Sequence, residues 1–170
     1  MKRLEILKIY IPIKEKKLIK CFLSLIFCVT VGFYFSEKYK KRIVVVESLI
    51  RFNASFLINV KYDKKTIPEF IEKYNDENLI KILNEFNVSK REKREINLSG
   101  LVEKEALAEV ENYFNQLGIS DSATQQQFVE SYGKVFEGKL EDVKKKYSAL
   151  AKVFPKIGIL TGAMFFIALL

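Results

Sequence analysis

The chain has 170 residues, enough for one domain, with no histidine and only two cysteines. This composition argues against histidine acid/base chemistry, a disulfide framework and a cysteine/histidine metal site. Its formal charge of +8 does not form a nucleic-acid face, because residues 1–20 carry seven Lys/Arg against two Asp/Glu while residues 37–152 carry 21 against 19.

The excess base lies beside uncharged apolar runs, as in membrane flanks that meet anionic headgroups, so the expected partner is a lipid bilayer and not nucleic acid. Residues 1–17 form a basic leader. Residues 18–36 supply about 19 mostly apolar positions, enough for a transmembrane helix with Lys20 reaching toward the headgroups. A cleaved signal peptide fits poorly, since Gly32-Phe33-Tyr34-Phe35 puts bulky residues where small ones belong. Cys21 and Cys28 fall on one face of this helix and read as small apolar residues.

Residues 37–152 read as a helical bundle domain. Its first helix continues from the membrane segment, with Ile43, Val46, Ile50, Leu57 and Val60 as the apolar face, until Tyr62-Asp63-Lys64-Lys65 breaks the pattern. Thr66 is placed to cap a short helix with Pro68 in its first turn. Asp76 is expected to start the next, with Leu79, Ile82, Leu83 and Phe86 as its buried stripe. The mixed-charge run Ser89 to Glu95 reads as an exposed connection or a solvated helix end.

Ser99 is expected to open a fourth helix that turns Leu101, Ala106, Leu107, Val110 and Phe114 inward and stops at Gly118 in the left-handed conformation. Asp121 then caps a helix running to about Phe154, with Phe128, Tyr132, Phe136, Leu140, Val143, Tyr147, Leu150 and Phe154 at near-heptad spacing. Either the antiparallel first helix fills this seam or a second copy does, giving a homo-oligomer. Glu103, Glu105, Glu109 and Glu111 read as a solvated face in place of an acid/base pair.

Residues 153–170 form the second apolar segment, a C-terminal transmembrane helix once Lys156 extends toward the interface. A half-inserted tail or a helix packed on the first span are the competing readings. Eleven basic residues lie on the central-domain sides of the spans against seven at the N-terminal side, which favours a cytoplasmic central domain. The expected fold class is all-α: a bundle with a long antiparallel helical hairpin, flanked by N- and C-terminal transmembrane helices. No cofactor, metal or enzymatic residue set is indicated.

The order of these parts, and above all Phe114-Asn115-Gln116-Leu117-Gly118-Ile119-Ser120-Asp121 followed by Gln125-Gln126, resembles the stage III sporulation protein AB family. In that family an LG-x-x-D-x-x-x-Q junction precedes a long helix and a glycine-containing apolar tail, like Ile157 to Leu170 here. Two features depart from it: Met1 to Lys17 is longer than the usual leader, and Asn115 stands where many relatives place glycine. The resemblance implies Leu117, Gly118, Asp121 and Gln125 as a structural junction. It also implies a non-enzymatic platform in the secretion-like complex joining mother cell to forespore, similar to type II secretion platform proteins and seated in the mother-cell membrane. The implied partners are the sporulation ATPase, stage III sporulation protein AA, and other membrane members of that assembly. The alternative is a generic membrane-anchored adaptor or sensor that dimerises through its long helix.

Overall fold

The computed structural model describes the backbone of residues 2–169 and the side chains of residues 18–168, so the side chains of the basic leader lie outside the described residues. The fold is all-α. Its helices are α1 (Lys2–Ile58), continued by a π-helical turn (Asn59–Asp63), α2 (Ile67–Lys73), α3 (Ile80–Glu92), α4 (Lys104–Gln116) and α5 (Ser122–Leu169). Among the described residues there is no strand, only an isolated bridge between Ser99 and Val102. The chain forms two compact units, Met1–Lys40 with Ser148–Leu170, and Lys41–Tyr147. Among the described residues, two helices are long and apolar enough to cross a membrane, within Leu18–Asp63 and Ser122–Ala168.

The first unit is an antiparallel pair of helical segments whose contact face is built from small residues. A Cβ added at Gly158 would stand 2.7 Å from the Cys28 carbonyl oxygen, and one at Gly32 would stand 2.8 Å from that of Phe154. Gly162 approaches Leu25 and the Cys28 side chain in the same way. Small residues let two backbones come within van der Waals reach, which is how helices associate where burying apolar surface gives no advantage over lipid. Phe35 and Tyr39 stack on Phe154 at 5.4 and 5.3 Å, and Ser36 is buried beside Ala151. The opposite faces carry exposed Phe22, Phe27, Leu160, Met164 and Ile167.

The second unit buries an aromatic core. Phe52 of α1 is fully buried, with ring contacts to Phe56, Phe70, Tyr74, Tyr113 and Phe114. Tyr113 extends the cluster to Phe128, Tyr132 and Phe136 of α5. Edge-to-face and offset pairs of this kind add about 0.5–1.5 kcal/mol each beyond area burial. The predicted stripe of α3, Leu79, Ile82, Leu83 and Phe86, is buried in full.

Several boundaries differ from the sequence expectation. On α1 the buried stripe runs through Val46, Leu49, Phe52 and Phe56, so Ile43, Ile50, Leu57 and Val60 are its flanks. Asp76 does not start α3 itself; its carboxylate accepts the Asn78 N–H at 2.9 Å and shapes the turn that leads into Ile80. Ser99 does not open α4, which starts at Lys104, because Gly100 takes φ +83° and turns the chain. The preceding stretch is instead pinned to α4: Leu98 N–H donates to Glu111 and Ile96 N–H to Asn115. The last helix does not end near Phe154, since α5 carries Pro155 inside it.

Candidate functional site

The LG-x-x-D-x-x-x-Q residues come together at the junction of α4 and α5. Leu117 is buried beyond the last turn of α4, and Gly118 follows with φ +77°, a conformation that costs any residue with a Cβ. Asp121 Oδ2 accepts the N–H groups of Ala123 and Thr124 at 3.1 and 3.3 Å, satisfying donors that the first turn of α5 leaves unpaired. The Thr124 hydroxyl and these amides hold its carboxyl below the usual range. Gln125, one turn further on, reaches back: its Oε1 accepts the Gly118 N–H at 2.9 Å and the Ser120 hydroxyl at 3.3 Å. Gly118, Asp121 and Gln125 thus sit in one hydrogen-bonded corner, beside the buried Leu117.

A second segment faces this corner. The π-helical turn ends where Lys64 adopts φ +52° and donates its N–H to the Asn59 carbonyl at 2.7 Å. The buried Asn59 side chain clasps the backbone of Lys65, donating to its carbonyl at 3.1 Å and accepting its N–H at 3.2 Å. Glu69, in the first turn of α2, accepts the Thr66 N–H at 3.2 Å. Ile67 then seats over Gly118, where an added Cβ would stand 2.1 Å from Ile67 Cδ1.

Between the two segments lies an open cleft of about 400 Å³ with Phe56, Val60 and Ile67 among its apolar lining and Lys64, Lys65 and Gln125 among its polar lining. Gln125 is 4% exposed and its Nε2 has no hydrogen-bond partner. A buried donor in that state costs about 1–3 kcal/mol. The cleft offers donors, cationic charge and an apolar floor, a binding chemistry without a nucleophile and base in contact.

Glu103, just before α4, and Glu105, Glu109 and Glu111 of α4 keep contact with solvent, and each also has a partner within the bundle. Glu103 pairs with Arg42 at 2.8 Å and accepts the Tyr147 hydroxyl at 3.0 Å. Glu105 pairs with Lys146, Glu109 pairs with Lys139 at 2.7 Å, and Glu111 receives the Leu98 N–H. Lys146 and Lys139 hold the Glu105 and Glu109 carboxyls below the ordinary range.

Sequence reasoning named Leu117, Gly118, Asp121 and Gln125 only as a structural junction and did not anticipate the facing segment of Asn59, Lys64 and Ile67, which showed there only as a break in periodicity. It also passed over Gly158-x-x-x-Gly162, a spacing that does signal close helix packing in an apolar stretch. The family model described as stage III sporulation protein AB matches residues 17–170. No curated protein and no solved structure matches the chain.

Proposed function

We propose that this chain, which belongs to the stage III sporulation protein AB family, is a non-enzymatic membrane platform of the stage III sporulation complex that couples a cytoplasmic ATPase to membrane parts. The observation that carries the reading is the hairpin of the first unit, whose inner face is packed through Gly32, Gly158 and Gly162 while its outer faces expose Phe27, Leu160 and Ile167. Such surfaces are stable in hydrocarbon and a liability in water. The second unit supports a transmitting role, because Arg42 and Glu47 of α1 and Lys61 of the π-helical turn are bridged to Glu103, just before α4, and to Lys144 and Glu130 of α5. In this reading the platform sits in the mother-cell membrane with its bundle in the cytoplasm, and the ATPase is stage III sporulation protein AA.

The adaptor reading, with a dimer through the long helix, is less economical. Phe136, Val143 and Tyr147 on that seam are already buried within one chain. Two measurements test the proposal. The full-length chain should pellet with membranes and be released only by detergent, and a tagged copy should co-purify the ATPase from sporulating cells. A chain that stays in the supernatant, or one that captures neither the ATPase nor its membrane neighbours, overturns it.

A further inference from the structure

We infer that Lys152 and Lys156 of α5 hold the phosphate of an anionic phospholipid against the outside of the hairpin. The inference rests on reading the first unit as membrane-inserted and names the lipid class that this unit takes. Gly32 of α1 lies against Phe154 and Gly158 of α5, where an added Cβ would stand 2.8 Å from the Phe154 carbonyl oxygen and 3.1 Å from Gly158 Cα. Lys156 is therefore attached level with Gly32. The first charge that α1 carries after its uncharged run is Glu37, five residues further on, or about 7 Å at the helical rise. The stem of Lys156 thus starts inside the layer that α1 keeps apolar.

The hairpin supplies no counter-charge for it. Glu37 is the one carboxylate among the described side chains of the first unit, and it pairs with Lys40 at 2.7 Å. Lys152 and Lys156 are exposed and have no ion-pair partner among the described residues. They stand one helical turn apart on one face, where two like charges repel and an anion between them relieves both. Side chains on a helix lean toward its N-terminus, which carries the Lys156 ammonium toward Lys152 and away from the apolar layer. An unmatched ammonium beside hydrocarbon is costly, so the pair fits an anion at the edge of that layer.

The surroundings separate a lipid from a free anion. Val153, Ile157 and Leu160 flank Lys156 on the helix and are 43%, 49% and 65% exposed. Acyl chains cover such a surface favourably and water does not. Tyr34 of α1, 67% exposed, lies two residues beyond Gly32 on the charged side, and an exposed tyrosine there marks the headgroup level. That is the level to which the Lys156 ammonium extends. An anionic lipid therefore supplies both things this face lacks, a phosphate for the lysines and hydrocarbon for the residues around them. A lysine that reaches the headgroups by its own length needs no acidic span of another protein beside it.

The chain has no tryptophan, so Leu160→Trp places a single fluorophore one turn beyond Lys156. The test uses the full-length chain with this substitution in phosphatidylcholine vesicles, quenched by brominated phosphatidylglycerol or by brominated phosphatidylcholine. Phosphatidylglycerol should quench as a lipid held about fivefold or more tightly than phosphatidylcholine. Lys156→Gln should lower that preference severalfold, Lys156→Arg should keep it, and Lys20→Gln near the other end of the hairpin should leave it unchanged. Equal quenching by the two lipids overturns the inference, as does a preference that survives Lys156→Gln. Loss of the preference in free inorganic phosphate, but not in chloride of the same ionic strength, shows that a free anion occupies the site and overturns it too. A Lys156→Gln chain that keeps the lipid preference but loses co-purifying membrane proteins assigns the lysine to a protein carboxylate instead. Equal quenching leaves the platform reading standing, whereas a tryptophan that neither lipid quenches sinks the membrane reading on which both rest.

Discussion

Ser36 Oγ donates a 2.6 Å hydrogen bond to the carbonyl oxygen of Ala151, the residue four positions before Pro155. In an α-helix that carbonyl would accept the N–H of residue 155, which proline does not have. The buried serine thus supplies the donor that the proline removes, and α5 holds Pro155 inside its length because the freed carbonyl is satisfied from outside the helix.

Ser36→Ala should lower the stability of the full-length chain in micelles by about 1–2 kcal/mol, since it leaves a buried acceptor unmet. The loss should shrink when Pro155→Ala restores the helical N–H. A double-mutant cycle read by detergent-induced unfolding measures the coupling; additive losses would show that the two residues act independently.

The glycines of α5 separate two kinds of position. Gly158→Leu forces side-chain atoms into the Cys28 carbonyl and should cost about 1–3 kcal/mol by overpacking the hairpin. Gly138, with nothing within 4 Å of an added Cβ, is a helix-interior glycine, and Gly138→Ala should stabilise by about 0.5–1 kcal/mol. Circular dichroism during denaturant titration checks both signs in one experiment.

The regular parts of this fold were legible because their signal is periodic. Leu79, Ile82, Leu83 and Phe86 repeat at helical spacing, and all are buried. What stayed hidden was polar groups on buried faces: Ser36, Asn53 and Asn59 carry no signal of burial in the sequence, yet each is buried and bonded to backbone. Tertiary partners decide such positions, and no local pattern encodes them. Val129 was missed for a related reason, since the larger Phe128 and Tyr132 drew the heptad reading while the fully buried residue was the valine between them. At the junction the chain's punctuation was informative, because Gly118 and Asp121 act through their own backbone neighbours. The facing half required Ile67, distant in sequence, to come down on Gly118.

Gly118 is expected to be sensitive on two counts. Its φ of +77° penalises a Cβ by about 1–2 kcal/mol, and the added atom also displaces Ile67. Gly118→Ala should therefore destabilise the chain more than Gly118→Asn in its backbone strain, because asparagine tolerates the left-handed region better. The Gln125 side-chain amide signal reports whether the corner itself reorganises, as the Gly118 N–H to Gln125 Oε1 bond is made at the same residue. An alanine variant with unchanged stability and an unmoved Gln125 signal would remove the strain argument.

Protonation of Asp121 should loosen the same corner in acid. Hydrogen bonds from the Thr124 hydroxyl and the Thr124 and Ala123 amides hold its carboxyl below the ordinary value in the folded chain. A lowered folded-state value means that the contribution is fully present above the unfolded aspartate range near pH 3.9 and disappears as pH falls through the lower folded value. The melting temperature of the wild-type chain should thus fall between about pH 4 and pH 2 by more than that of Asp121→Asn, which keeps an acceptor for the α5 amides without a titrating charge. Other carboxylates in ion pairs, Glu105 and Glu109 among them, titrate in both chains, so the difference between the two pH profiles isolates position 121. Superimposable profiles would mean that the cap contributes nothing through its charge.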